Sequence, residues 1–351
     1  MPSLYNIFLL SSGSNGRLDP VPASEINLLV GVSGTVNFGF LSQSSGCLGS
    51  VIGGGYINRT ISNFATVAGG IGNSSSGYAA IVGGGQSNTA LCAWSSIGGG
   101  FNNRVCSQYS NIDGGDNNVI RAQYAFIGGG QLNTVSVVAG NSVIGGGALN
   151  TTEGECSVVV GGCQNASAEL SFIGGGRNNC SLYASTIGGG RNNSACAPCS
   201  FIGGGFNNSI LSSCIGGQGY TSLGGTIGGG VGNRLGSFFV GSNAGDYSVI
   251  GGGQNNCAGC IYTSILGGTY HCVFAPYSYV AGGRCSVVSS NHSGAAVLGD
   301  GQDRAHLSSG PNTLTLDFAS GIYVSGGLYL NGRQLLVSAA GNVFSPTVTA
   351  G

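Results

Sequence analysis

Ile97-Gly98-Gly99-Gly100-Phe101-Asn102-Asn103 and Ile173-Gly174-Gly175-Gly176-Arg177-Asn178-Asn179 are two copies of one phrase, Ile-Gly-Gly-Gly-x-x-Asn. Its closing asparagine falls at Asn58, Asn73, Asn88, Asn103, Asn118, Asn133, Asn150, Asn165, Asn179, Asn193, Asn208, Asn233 and Asn256. The steps between them are 15, 15, 15, 15, 15, 17, 15, 14, 14, 15, 25 and 23 residues. A fifteen-residue period is too short for helical hairpin repeats, which need about 33 to 47 residues. Glycine inside a helix also costs about 1 kcal/mol. Short strands joined by tight turns remain. Ahead of the glycines, Ser171-Phe172-Ile173, Ser185-Thr186-Ile187, Ser200-Phe201-Ile202 and Ser248-Val249-Ile250 alternate with the period of a strand. The isoleucine is expected to point inward, and the residue before it outward.

The expected fold is therefore an all-β solenoid, or β-roll, of about fifteen-residue coils. The glycines supply positive φ and let backbones approach closely. The repeat asparagine is expected to sit at a corner, where it tolerates the left-handed conformation. Identical amides stacked one rung apart can also bond along the axis. The two long steps are each expected to hold a degenerate coil, around Ile215-Gly216-Gly217 and Val240-Gly241. Weaker coils follow at Leu266-Gly267-Gly268, at Val280-Ala281-Gly282-Gly283 and at Leu298-Gly299. Some sixteen coils at about 4.8 Å per rung make a rod of roughly 75 Å.

Composition agrees with a repeat architecture. The chain holds 71 Gly in 351 residues and only 6% charged residues, against about 7% and about 25% in ordinary globular chains. A collagen period is absent, and a hydrophobic fraction of 41% is too high for a solvated coil. All ten basic residues are arginines scattered along the chain, so no basic patch exists to hold nucleic acid. No stretch approaches eighteen uninterrupted apolar residues, and the first ten residues carry no positive charge. Neither membrane insertion nor a secretory signal is expected.

A fifteen-residue coil encloses one or two small apolar side chains, too little to offset backbone ordering of about 1–2 kcal/mol per residue. Each chain thus needs a partner face. Val51, Phe126, Val143, Phe172, Phe201 and Val249 occupy the outward position before the isoleucine and are candidates for that shared core.

The Ser-x-Ile-Gly-Gly-Gly-x-x-Asn array, over about residues 48 to 300, resembles the head repeats of trimeric autotransporter adhesins and, more closely, the repeat arrays of phage tail-fibre proteins. Leu298 to His306 and Ser308 to Val324 also resemble what closes such arrays in tail fibres. The resemblance implies a homotrimeric structural fibre on a virion, assembled in a host cytoplasm and serving host attachment. A membrane anchor of the autotransporter kind is not visible, which favours the virion reading. The implied partners are copies of the chain itself, virion tail, baseplate or capsid proteins, and a host-surface receptor or glycan. A cell-surface adhesin or extracellular sheath protein is the alternative, and a fibre-borne glycan hydrolase a further one.

Three segments follow: residues 1–46, lacking the repeat, as a particle-attachment adaptor; residues 47–300 as the shaft; and residues 301–351 as a β-rich cap or tip. In the last, Thr313-Leu314-Thr315-Leu316 and Leu328 to Leu336 read as a hairpin with an Asn331-Gly332 turn. Phe318, Tyr323 and Tyr329 are candidate tip contacts.

The remaining chemistry is sparse, and no catalytic residue, metal or cofactor is assigned. Of thirteen cysteines, Cys196 with Cys199 and Cys257 with Cys260 form Cys-x-x-Cys pairs, but four or five coils, about 20 Å, are expected between them. Small apolar fillers are the favoured reading of the cysteines, with local disulfides behind it. Asp300, Asp303, Arg304 and His306 form one polar cluster, read as ordering the junction. Asn-x-Ser/Thr sequons occur at Asn58, Asn73, Asn150, Asn165, Asn179, Asn192, Asn207 and Asn291, and the repeat itself generates most of them. Ice binding lacks the regular Thr-x-Thr rows it would need.

Overall fold

In a computed structural model the chain is all-β, with no helix among the described residues. The structure describes residues 10–12, 18–20, 36–44, 48–211, 224–236, 246–302, 305–320, 328–330 and 333–335. Every coil follows one path. Ser96–Ile97 forms a two-residue strand that runs into the glycines. Phe101 bridges to the neighbouring coils, Asn102 turns a left-handed corner, and Asn103 points inward. A second strand, Arg104–Val105, precedes a tight turn through Tyr109 that lifts the chain one rung.

Each strand pairs in parallel with its equivalent in the next coil, as Ile97 with Ile112 and Val105 with Ile120. Two ladders of eighteen and seventeen strands result, about seventeen coils in all. At about 4.8 Å per rung the stack is roughly 80 Å long.

The interior is one residue wide. The repeat isoleucines, such as Ile97, Ile112, Ile127 and Ile173, are wholly buried, as the alternation predicts. The second strand contributes a more variable inward row, Thr60, Ser75, Ala90, Val105 and Ile120. Apolar side chains thus share this row with small hydroxyl residues. Many of the hydroxyls bond backbone carbonyls, as Ser75 Oγ does to Ala80 O at 2.8 Å. The third glycine of each phrase is sterically required. Gly100 has φ +90°, and a Cβ there would overlap the carbonyl oxygen of Gly115 in the next coil.

The two long steps do not hold extra coils. Phe201 pairs directly with Thr226 and Ser209 with Arg234; Thr226 then pairs with Val249 and Arg234 with Cys257. The flanking rungs are consecutive, which leaves no rung for Ile215-Gly216-Gly217 or Val240-Gly241, and those residues lie outside the described ones. The weaker phrases at Leu266, Val280 and Leu298 do build coils.

The ladder begins at Val36–Asn37, which pairs with Val51–Ile52, and ends at Leu314–Asp317, which pairs in parallel with Ala296–Gly299. It thus reaches past both ends of the segment assigned to the shaft from the repeat. Thr313-Leu314-Thr315-Leu316 is part of this last rung rather than of a hairpin. Leu328–Leu330 and Arg333–Leu335 do form an antiparallel pair, with Leu330 opposite Arg333, so two residues connect them. Asn331 and Gly332 themselves lie outside the described residues, as does most of the 1–46 segment.

Candidate functional site

The thirteen repeat asparagines, Asn58 through Asn256, are all at most 1% exposed. Each does three things at once. Asn58 Nδ2 donates to the carbonyl of Gly54 in its own coil and of Gly70 in the next, both at 2.9 Å. Its Oδ1 accepts the backbone N–H of Asn73 at 3.0 Å. The pattern continues to Asn256, and across the 25-residue step Asn233 N–H still reaches Asn208 Oδ1 at 3.0 Å. The ladder is therefore chiefly amide to backbone. Direct amide-to-amide bonds are longer where they occur, as from Asn118 Nδ2 to Asn103 Oδ1 at 3.1 Å.

The left-handed corner is taken by the preceding residue and not, as the sequence suggests, by the ladder asparagine. Ser87, Asn102, Asn117, Asn178, Asn192 and Asn207 all have φ between 51° and 60°. Two consecutive asparagines thus divide the labour: the first tolerates the corner, and the second, turned inward, satisfies buried backbone groups. The same geometry decides the sequons. Asn58, Asn73, Asn150, Asn165 and Asn179 are buried with Nδ2 engaged twice, whereas Asn207 and Asn291 are exposed.

A second set of residues, not singled out in the sequence, lines the edge where one coil turns into the next. Phe64, Trp94, Tyr109, Tyr124, Tyr247, Tyr262 and Tyr277 all have φ between 51° and 59°. Bulky residues seldom adopt this conformation, at about 1–2 kcal/mol each. The rings form two columns. Trp94 stacks on Tyr109 at 5.0 Å and Tyr109 on Tyr124 at 5.1 Å, with Phe64 and Tyr78 continuing edge-on. Tyr247, Tyr262 and Tyr277 stack at 5.5 and 5.3 Å. Such pairs contribute about 0.5–1.5 kcal/mol, the same order as the strain. The stacked rings cover one another's faces and present edges and hydroxyls to solvent, with Tyr277 63% exposed at the end of its column.

The charged residues are less promising. Glu153, Glu155 and Glu169, three of the chain's four glutamates, meet with Val138 and Tyr183 in one open groove. All three are exposed, and the groove encloses none of them. Among the described residues no group of three or more His, Cys, Asp or Glu is placed to hold a metal ion.

The described cysteines are free thiols. Cys257 lies on a strand three rungs beyond Ser194–Ala195, the strand that Cys196 follows, through Ser194, Ser209, Arg234 and Cys257. That is about 14 Å, shorter than the expected 20 Å because the long steps add no coils. Cys257 faces Cys272 in register on the next coil. Burial, then the neighbouring Cys272, pushes its thiol up to about 11 from an ordinary 9.0. About a hundredfold less thiolate is expected than for an unperturbed cysteine. Mass-spectrometric mapping of iodoacetamide labelling at mildly alkaline pH checks this: exposed Cys156 and Cys199 react first, Cys257 last.

At the far end, the polar cluster is partly realised. His306 is buried, with Nδ1 2.7 Å from Asp317 Oδ2 and Nε2 3.4 Å from Asp300 Oδ1, and Asp300 Oδ2 accepts the Ala319 N–H at 2.5 Å. Asp303 and Arg304 lie outside the described residues. Of the candidate tip contacts, Phe318 is 37% exposed. Tyr323 lies outside the described residues, and Tyr329 falls on the strand Leu328–Leu330 with its side chain outside them. No protein-family model matches the chain, and no curated protein matches it either.

Proposed function

We propose that this chain is a structural virion fibre, a tail fibre or similar appendage, that associates with copies of itself and carries a host-binding end. One observation carries the reading: an uncharged outward row along the whole rod. The sixteen residues from Val51 through Thr66, Ile81 and on to Tyr279 and Ala296, one per rung, include no charged side chain. Phe172, Phe201, Val249 and Ile81 on this row are all at least 40% exposed.

Sixteen rungs of about 4.8 Å, about 10 Å wide, present roughly 750 Å². That is about the 800 Å² per partner of a standard stable interface. A one-residue-wide interior also leaves each chain short of apolar burial, which association supplies. Three copies about a common axis are proposed from the resemblance to trimeric fibres, with the 1–46 segment docking to virion tail, baseplate or capsid proteins. The residues after the last rung are proposed to meet a host receptor or glycan.

Light scattering with sedimentation velocity tests the reading. The expected result is about three times the 34.6 kDa chain mass with a high frictional ratio, and dissociation in the double variant Phe172→Asp, Phe201→Asp. A wild-type protein that stays monomeric at micromolar concentration would overturn it.

A further inference from the structure

All three histidines of the chain, His271, His292 and His306, belong to the final coils of the rod. Two of them, His271 and His306, stand in the asparagine row, which reads Asn256, His271, Ser286, His306 at its end. Both are wholly buried. After thirteen consecutive asparagines the row changes to a titratable side chain.

His271 copies the amide it replaces. Its backbone N–H donates to Asn256 Oδ1 at 3.0 Å, as each asparagine does to the one before. Its Nδ1 accepts the Ser286 N–H at 3.1 Å, in the role of Oδ1. Its Nε2 faces the carbonyls of Gly267 and Gly283, in the role of Nδ2, without a well-aligned bond to either. This arrangement needs a neutral ring carrying its proton on Nε2, since Nδ1 must accept. An asparagine cannot be switched off by a proton, whereas this ring can. Protonated at Nδ1, it would point N–H against N–H and place a charge in an interior one residue wide.

The surroundings oppose that charge. Burial lowers the affinity of His271 for a proton and outweighs the Gly283 and Gly267 carbonyls, which favour the charged ring; His306, one rung beyond Ser286, lowers it further. Arg284, from the next coil, lies over the Tyr270 ring, 5.8 Å from its centroid. Cys257, Cys272 and Cys285 are the remaining titratable groups on the adjoining strands and corner, and burial raises Cys257 and Cys272, which keeps them neutral. His292 is taken up by Ser308 Oγ at 2.6 Å. His306 differs from His271 in its partners, because Asp317 and Asp300 flank its ring.

We propose that His271 is an acid-sensitive break in the rod: protonation of its ring opens the coils around it, while the asparagine-laddered coils before it stay closed. The sign follows from the lowered proton affinity. The stability contributed by the neutral ring is complete above the unfolded-state value of 6.5 and is lost as pH falls through it toward the lower folded-state value. The device is independent of how many chains associate and of what the fibre binds.

Hydrogen exchange of the full chain at about pH 7.5 and about pH 5, corrected for intrinsic rates, tests the proposal. Peptides within 264–288 are expected to lose about tenfold or more in protection on acidification, and peptides within 96–202 to change little. His271→Asn restores the residue used by the preceding coils and is expected to abolish the difference. Equal protection of the wild type at both pH values, or an acid response that persists in H271N, would overturn the proposal. Nitrogen-15 histidine spectra give a readout on the unmutated chain, where only three ring systems contribute. His271 is expected as the Nε2–H tautomer at neutral pH, and finding it charged or protonated at Nδ1 there would equally defeat the idea.

Discussion

Replacing Asn118 by alanine is expected to destabilise its part of the rod by about 3 kcal/mol or more. The side chain donates to Gly114 O at 3.0 Å and to Gly130 O at 2.9 Å, and it accepts the Asn133 N–H at 3.0 Å. Alanine leaves two carbonyls and one N–H buried without these partners, at about 1–3 kcal/mol each. Because each coil touches mainly its neighbours, the damage should be local and split one cooperative array into two. Hydrogen exchange should show the opening at residues 112–135, and denaturant unfolding a lower midpoint. The adjacent Asn117→Ala is the control: that side chain is half-buried on the outside and its corner at φ 58° costs alanine about 1–2 kcal/mol at most. Equal effects from the two variants would refute the assignment of roles within the Asn-Asn pair.

The second large effect is expected at Gly100. Alanine there meets a left-handed φ of +90° and overlaps the carbonyl oxygen of Gly115, backbone that the next rung holds in place. Strain of about 1–3 kcal/mol adds to the loss of the neighbouring bonds, among them Gln86 N–H to Gly100 O at 2.9 Å and Asn88 Nδ2 to the same oxygen. A Cβ at the middle glycine, Gly99, meets no atom within 4 Å. Gly100→Ala should therefore lower the unfolding midpoint far more than Gly99→Ala, and a reversed order would contradict the steric reading.

The chain's own pattern carries most of this architecture. Isoleucine alternating with outward residues, three glycines and a buried asparagine recur so regularly that the coil, its length and its inward side are legible before any coordinates. Two things were not, and a third was masked. Gly-Gly pairs at 216–217 look like rungs, yet only backbone pairing decides whether a segment joins a ladder, and Ser209 meets Arg234 directly. In the Asn-Asn pairs either residue can take a left-handed corner, and composition does not separate a strained asparagine from a buried one. The aromatic edge was visible as spacing: Trp94, Tyr109 and Tyr124, like Tyr247, Tyr262 and Tyr277, lie fifteen residues apart. It was obscured because its members are interrupted by Asn141, Cys156 and Ala184 at equivalent corners, and the glycine phrase is the louder signal.

Steps of 14, 15, 17, 23 and 25 residues all close on the same asparagine bond at about 3.0 Å. Chain length and axial height are thereby uncoupled. Adding residues between two asparagines leaves the rod no taller, while deleting one whole phrase shortens it by a single increment of about 4.8 Å. The reach of such a molecule is therefore quantised, set by counting asparagines, and loops can grow or shrink on its flanks without moving whatever its far end holds.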